Sequence, residues 1–262
     1  MARESKKSAA ASNGIRWRLW FGIAGAFLVF VSTAVAALKV RDYVSADPQF
    51  NLSRYQKDSL LITGVRYASR YKVQHAFAQD FERSIFSVPL AERRRRLLAV
   101  DWVEDASISR IWPDRLVVRI KERTPVAFVY FRAGVLLIDS HGVLLEPPTT
   151  AGVTPHFAFP VLSGVREEES EPLREERVRA MLHLQEDLGY MAKDLSEVNA
   201  SDIENMRVVV KLDNRAIELI MGDTNFGRRY QNFLRHYPEI AQQSPTVKAF
   251  DLRLDDRITA KD

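Results

Sequence analysis

Residues Ser109 to Val129 read SRIWPDRLVVRIKERTPVAFV, and this stretch decides the fold of the middle of the chain. The run from Leu116 to Glu122 alternates apolar with charged side chains, which is the pattern of a half-buried strand. Trp112-Pro113-Asp114 before it is a turn signal, and Val103 to Ile111 supplies a partner strand. The sequence therefore predicts a β-hairpin that contains no catalytic group, with Trp112 as a packing residue.

The residues before this hairpin complete a small domain. Ser59 to Gly64 is a short apolar run ended by glycine, and it predicts a strand. Apolar residues recur at helical spacing in Val73 to Phe86 and again in Pro89 to Val100, which predicts two helices. The order is strand, helix, helix, strand, strand, so residues 59–123 form one α+β domain.

After Thr124-Pro125 the sequence changes to short strands with tight turns. The expected strands are Val126 to Phe131, Val135 to Ile138, Val143 to Leu145, Arg207 to Leu212, Arg215 to Met221 and Val247 to Leu254. Two helices are expected at Arg174 to Leu188 and Phe226 to Tyr237, and Asp213-Asn214 turns a hairpin. Residues 124–258 thus predict a mostly β domain with two helices.

The segment between the two domains is a predicted junction, formed by Glu122, Arg123, Thr124 and Pro125. A proline disfavours helical geometry in the residue before it, so Pro125 biases Thr124 toward an extended conformation. We expect these residues to help set the angle between the domains and to take part in no reaction.

The N-terminus combines a basic tail with an apolar run. Residues 1–18 hold five basic residues and one acidic residue, so the formal charge of +4 lies in this tail and the rest of the chain is neutral. Leu19 to Leu38 carries no charge and would span roughly 30 Å as a helix, the thickness of a bilayer core. The positive-inside rule places the N-terminus in the cytoplasm and the bulk outside.

A cleaved signal peptide is the alternative to this membrane anchor. Ala34-Val35-Ala36 followed by Ala37 fits a small-residue cleavage site. The apolar core of a signal peptide is usually shorter than the run found here, which favours an uncleaved anchor.

A search for chemistry finds no converging set of residues. The five histidines lie at spacings that place no two on one helix face: His75, His141, His156, His183 and His236. Cysteine is absent, which excludes disulfides and thiolate chemistry. The run Arg93 to Arg96 is interpreted as a solvated helix face, and a docking surface for an acidic partner or lipid headgroups is the alternative. We predict no catalytic residue, no cofactor and no metal.

Several short segments occur in the order that is typical of one family. They are Leu61 to Gly64, Asp101 to Ala106, Ser109 to Pro113, Lys121 to Ala127, Leu137 to Gly142, Phe159 to Gly164 and Phe250 to Arg253. Together they resemble the landmarks of the bacterial cell-division family FtsQ/DivIB, and the strand-helix-helix-strand-strand unit resembles a POTRA domain. The resemblance covers residues 15 to 258 in outline.

The resemblance implies an α+β architecture and a division role. The implied segments are a cytoplasmic tail (1–18), a transmembrane helix (19–38), a linker (39–58), a POTRA domain (59–123), a β domain (124–258) and a C-terminal end (259–262). It implies a non-enzymatic scaffold of the inner membrane at the septum, which joins early and late division proteins and binds FtsB and FtsL through the β domain. The alternative is a POTRA-containing exported adaptor of a transport or secretion assembly.

The last expected strand is the candidate partner-binding site. A strand at a sheet edge offers unpaired backbone groups as a template for an incoming strand. The candidate residues lie in Val247 to Ile258: Phe250, Asp251, Leu252, Arg253, Leu254, Asp256 and Ile258. A proline at Arg253 should then abolish binding without unfolding the domain. The alternative is a core strand that is paired on both sides.

Overall fold

The computed structural model describes residues 13–56, 58–148 and 157–261 of the chain. The first twelve residues of the predicted tail, His156 and part of the loop after Pro148 lie outside the described residues. The class is α+β, as predicted. By contact density the chain divides into two compact units, Met1–Thr63 with Gln74–Arg96 and Ser107–Arg119, and Gly64–Val73 with Leu97–Ala106 and Ile120–Asp262.

One helix near the N-terminus is long and apolar enough to cross a membrane. Helix α1 is Asn13–Ala46, and the apolar span within it is Trp20–Val40. The helix extends beyond the predicted segment 19–38 at both ends, whereas its apolar span begins one residue later and ends two residues later than that segment.

The predicted hairpin is confirmed and belongs to a three-stranded sheet. Strand β1 is Leu60–Thr63, β2 is Val103–Ile111 and β3 is Arg115–Glu122, in the order β1-β3-β2. Strand β1 runs parallel to β3 with Leu60 opposite Leu116. The alternation predicted in β3 is observed, since Leu116, Val118 and Ile120 are all buried.

The two helices of this region are shorter than predicted. Helix α2 is Arg70–His75 and helix α3 is Leu90–Leu98. The amide of Phe77 bonds to the carbonyl of Gln74 and that of Asp80 to the carbonyl of Phe77, so a series of turns replaces the helix. Glu82 then takes a positive φ of 62°, which no continuing helix allows.

Part of the predicted linker 39–58 is packed. A short 3₁₀ turn, Pro48–Phe50, begins after Asp47, whose carboxylate accepts the amide of Gln49. Phe50 and Leu52 are buried, and the amide of Leu52 bonds to the carbonyl of Arg83 at 2.8 Å. Two apolar residues in an otherwise polar stretch give no periodic signal, which is why the sequence did not reveal this packing.

The second unit is built on a nine-stranded mixed sheet in the order β12-β11-β10-β9-β8-β7-β4-β5-β6. Its strands are β4 (Pro125–Phe131), β5 (Gly134–Asp139), β6 (Leu144–Leu145), β7 (Val161–Ser163), β8 (Leu195–Asn199), β9 (Met206–Leu212), β10 (Arg215–Gly222), β11 (Ala249–Asp251) and β12 (Thr259–Lys261). The hairpin β9–β10 is confirmed, and Asp213 and Asn214 have the positive φ values of a type I′ turn.

Two helices supply the core that packs on this sheet. Helix α4 is Glu171–Leu188 and helix α5 is Phe226–Gln243. Their buried side chains join one core cluster with those of β8 to β11. Helix α5 continues past its predicted end at Tyr237, through Pro238. Ile240 and Ala241 pack against the core, and this burial favours the extra turn.

Candidate partner-binding edge

The candidate residues Phe250 and Leu252 are core residues. Each is 2% exposed and belongs to the main core cluster, and Ile258 packs against that cluster. Strand β11 has three residues instead of the predicted eight and is paired on both sides, with β10 and β12. The expectation that Phe250 or Leu252 contacts a partner is therefore corrected, whereas Leu254 is 58% exposed.

The open edge of the sheet is one strand further out, on β12. This strand runs antiparallel to β11, with Thr259 opposite Asp251, Ala260 opposite Phe250 and Lys261 opposite Ala249. All three of its residues are exposed. They lie in the predicted C-terminal end (259–262), where no strand was expected because three residues are too few to show an alternating pattern.

The hydrogen-bond pattern shows which groups of β12 face outward. Toward β10, the carbonyl of Lys248 accepts the amide of Glu218 and the amide of Leu252 donates to the carbonyl of Ile220. Backbone groups alternate along a strand, so Ala249 and Asp251 point the other way, toward β12. They form the hydrogen-bonded pairs with Lys261 and Thr259.

Ala260, opposite Phe250, is then the residue between two hydrogen-bonded pairs. In an antiparallel ladder such a residue directs its N–H and C=O away from the neighbouring strand. No strand in the described part of the chain covers that side. Ala260 therefore offers one donor and one acceptor to an incoming strand.

Charged side chains hold the end of β11 in place. The guanidinium of Arg253 lies 2.7 Å from the carboxylate of Asp251, and its Nη1 donates to Asn205 at 3.2 Å. Lys261 lies 4.0 Å from the same carboxylate. The Arg253 hydrogen bond holds the pKa of Asp251 below its usual range, against the opposing effect of burial. Arg253 thus supports the edge from within the chain.

A second ion pair fixes the turn between β11 and β12. Arg229 of α5 donates through Nε to Asp255 at 2.8 Å and through Nη1 to the carbonyl of Met221 at 2.7 Å. The hydrogen bond from Arg229 lowers the pKa of Asp255. Asp256, in the same turn, is exposed. The turn that leads into the edge strand β12 is therefore fixed to helix α5 by Arg229.

The predicted junction residues have defined contacts within the second unit. The carboxylate of Glu122 accepts the amides of Arg66, Tyr67 and Ala68 at 2.7 to 3.0 Å. Arg123 donates to Asp139 at 2.8 Å. Thr124 is exposed, and Pro125 is buried as the first residue of β4. Their role in setting an interdomain angle stays a prediction.

Two family models match the chain. The one described as "POTRA domain, FtsQ-type" matches residues 58–123, and the one described as "Cell division protein FtsQ/DivIB, C-terminal" matches residues 127–253. Both matches favour the division family over the transport or secretion alternative.

Curated relatives agree with these matches. The cell division protein FtsQ of Koribacter versatilis is 36% identical over 205 residues, which cover 77% of this chain and 58% of that protein. The cell division protein FtsQ of Shewanella oneidensis is 26% identical over 249 residues, 94% of this chain and 87% of that protein. The extracytoplasmic domain of DivIB from Geobacillus stearothermophilus aligns over 48% of this chain and 96% of its own length at 22% identity, with a TM-score of 0.26. From the two family models and these relatives, the chain belongs to the FtsQ/DivIB family of cell-division proteins.

Proposed function

We propose that this protein is a non-enzymatic scaffold of the division machinery, anchored in the inner membrane by α1. Its N-terminus would lie in the cytoplasm and its two domains outside, where they link early and late division proteins at the septum. Family membership, the single apolar span of α1 and the basic residues before it support this arrangement.

The proposal for how a partner binds rests on the outward N–H and C=O groups of Ala260. A partner strand would add to β12 and exchange a pair of hydrogen bonds with Ala260, which extends the nine-stranded sheet. The division proteins FtsB and FtsL are the proposed partners. From the original candidate set, Leu254 and Asp256 remain exposed beside the edge and would add selectivity through their side chains.

The opposite edge of the sheet is less suited to strand addition. Strand β6 has two residues and is followed by Glu146 and then by Pro147-Pro148. Proline has no amide hydrogen to donate, and it is one of the devices that protect sheet edges. We therefore assign the partner strand to β12.

The test is an Ala260→Pro substitution in the full-length chain. It takes the place of the Arg253→Pro substitution that the sequence suggested. Arg253 follows β11, and its amide bonds to the side chain of Asp251, so a proline there would not probe the edge. A proline at position 260 removes the outward amide and leaves the bonds of Thr259 and Lys261 to β11. We expect it to abolish co-purification with FtsB and FtsL.

The matched control is Ala260→Thr, which keeps the amide and suits an exposed strand position. It should bind as the unaltered chain does, and circular dichroism should show that both variants are folded. Equal binding by the proline variant would exclude strand addition at Ala260. Loss of binding in both variants would instead place the contact on the alanine side chain.

A further inference from the structure

The first unit exposes two large aromatic side chains that lie against one buried ring, here called the aromatic patch: Phe86 and Trp112. They are 43% and 70% exposed, and the packing predicted for Trp112 is a contact with the ring of Phe50. The buried ring of Phe50 lies beneath them, with its centroid 5.6 Å from that of Phe86 and 5.7 Å from that of Trp112. Clustered exposed apolar groups mark a contact surface more often than single ones do.

The segments that carry the patch are tied to one another. Arg110, two residues before Trp112, donates through Nε to the carbonyl of Ile85 at 2.6 Å and through Nη2 to that of Val88 at 2.8 Å. The amide of Ile85 donates to the carbonyl of Phe50 at 2.9 Å. The hairpin turn, the loop with Phe86 and the 3₁₀ turn with Phe50 are therefore held together. The exposure of the patch is therefore a property of the folded first unit.

The chain keeps this patch close to the membrane anchor. Phe50 follows Val40, the last residue of the apolar span, by ten residues, of which six belong to α1 and three to the 3₁₀ turn. At 1.5 Å for each residue of α1 and at most ~3.5 Å for each of the other four, Phe50 lies within roughly 23 Å of the end of the span. The headgroup layer is about 6 Å thick on each side of the bilayer core. The patch can therefore reach lipid headgroups.

We propose that the aromatic patch docks on the outer surface of the bilayer that holds α1. Tryptophan and phenylalanine favour the headgroup level, where a ring is partly removed from water. Two exposed cations lie near these residues in the chain and suit lipid phosphates: Arg83, three residues before Phe86, and Arg115, three residues after Trp112 and 3.9 Å from Asp114. The docking needs the anchor, does not need the partner strand at β12, and so goes beyond the proposed function.

Tryptophan fluorescence of the full chain tests the proposal. Trp17→Phe and Trp20→Phe together leave Trp102, which is 3% exposed, and Trp112. The chain is placed in nanodiscs of phosphatidylethanolamine and phosphatidylglycerol, with or without bromine near the top of the acyl chains. We expect bromine to quench the Trp112 emission, which is isolated by subtracting the spectrum of the same chain with Trp112→Phe.

A matched control uses Tyr190, an aromatic residue of the second unit that is 80% exposed. Tyr190→Trp in the chain that carries Trp112→Phe should give a tryptophan that bromine does not quench and iodide does. Equal response of both positions to bromine, or no response at Trp112, would overturn the proposal. If Trp112 were protected from iodide only after FtsB and FtsL are added, the patch would bind a protein and not the bilayer.

A second label guards against an effect of the tryptophan changes on folding. Because the chain has no cysteine, Ser109→Cys and Ser196→Cys each provide one site for a nitroxide in the otherwise unaltered chain. Both serines are exposed, and Ser109 lies in β2 near the patch. The label at position 109 should be relaxed more by oxygen in the bilayer than by a water-soluble nickel complex, and the label at 196 should not. The same ratio at both positions would contradict the docking.

Discussion

Arg93 and Asp80 form a buried ion pair in the first unit. Nε and Nη2 of Arg93 donate to the carboxylate of Asp80 at 2.5 and 2.8 Å, and both side chains are almost fully enclosed. The hydrogen bond that Arg93 donates to Asp80 raises the pKa of Arg93, so the guanidinium stays charged. The interpretation of Arg93 to Arg96 as a solvated face is therefore wrong for its first residue. Arg94, Arg95 and Arg96 are exposed.

Removal of one partner from this pair should be costly. Arg93→Ala leaves the carboxylate of Asp80 buried and uncompensated, and we expect a loss of about 3–5 kcal/mol in the free energy of unfolding. Urea denaturation of the detergent-solubilised chain, followed by circular dichroism, measures it. Arg179→Ala, which breaks an exposed pair with Glu175, is the control and should cost at most ~1 kcal/mol. Equal losses would show that the Arg93 pair is not specially stabilising.

Single residues mark the limit of what the sequence predicts. The alternation in β3 identified Leu116, Val118 and Ile120 as buried, because each strand residue faces one side only. The burial of Arg93 and the high exposure of Trp112 were not predicted, for a common reason. Burial of a charge depends on a partner thirteen residues away, and exposure of an indole depends on the space around a turn. Neither is encoded in local spacing.

Asp251 and Arg253 give the edge element a pH dependence of defined sign. A carboxyl whose pKa is lower in the folded chain than in the unfolded one stabilises the fold above its unfolded pKa, and this contribution is lost as the pH falls through the folded pKa. The ordinary value for aspartate is about 3.9, so the support from Asp251 should decline below roughly pH 4.

Arg253→Ala tests the cause of this pKa shift. Without the guanidinium, the pKa of Asp251 should rise toward its ordinary value, since the Arg253 hydrogen bond is the main cause of the lowering. Carboxyl-carbon NMR titration measures it. Asp255 serves as an internal control, because its pKa is lowered by Arg229 and should not move. An unchanged pKa of Asp251 would show that another group lowers it.

Elements with long patterns or strong turn signals were predictable, and very short ones were not. The hairpins at Trp112-Pro113-Asp114 and Asp213-Asn214 were found because the turn residues restrict the backbone. Strands β7, β8 and β12, of three to five residues, were missed, whereas β1, of four residues, was found from its apolar run and the glycine that ends it. The open edge of the sheet was therefore placed one strand too far inside.

At the scale of the molecule, the first question is whether α1 remains attached. The helix runs without a break through Ala34 to Ala37 and continues to Ala46, ten residues beyond the candidate cleavage site after Ala36. We expect the mature protein to keep the anchor and to resist carbonate extraction from membranes. An N-terminus at Ala37, found by sequencing, would contradict the anchor and the docking of the aromatic patch together.

The division role and the edge can be tested together in living cells. Depletion of the chromosomal copy should produce filaments, and a fluorescent fusion should form a band at midcell. A plasmid copy with Ala260→Thr should restore division, whereas Ala260→Pro should leave filaments although immunoblots show equal amounts of membrane-bound protein. The reason is that only the proline removes the outward amide of β12. If both variants restored division equally, the division role would stand and strand addition at Ala260 would be excluded. If depletion produced no filaments, the division role itself would be excluded.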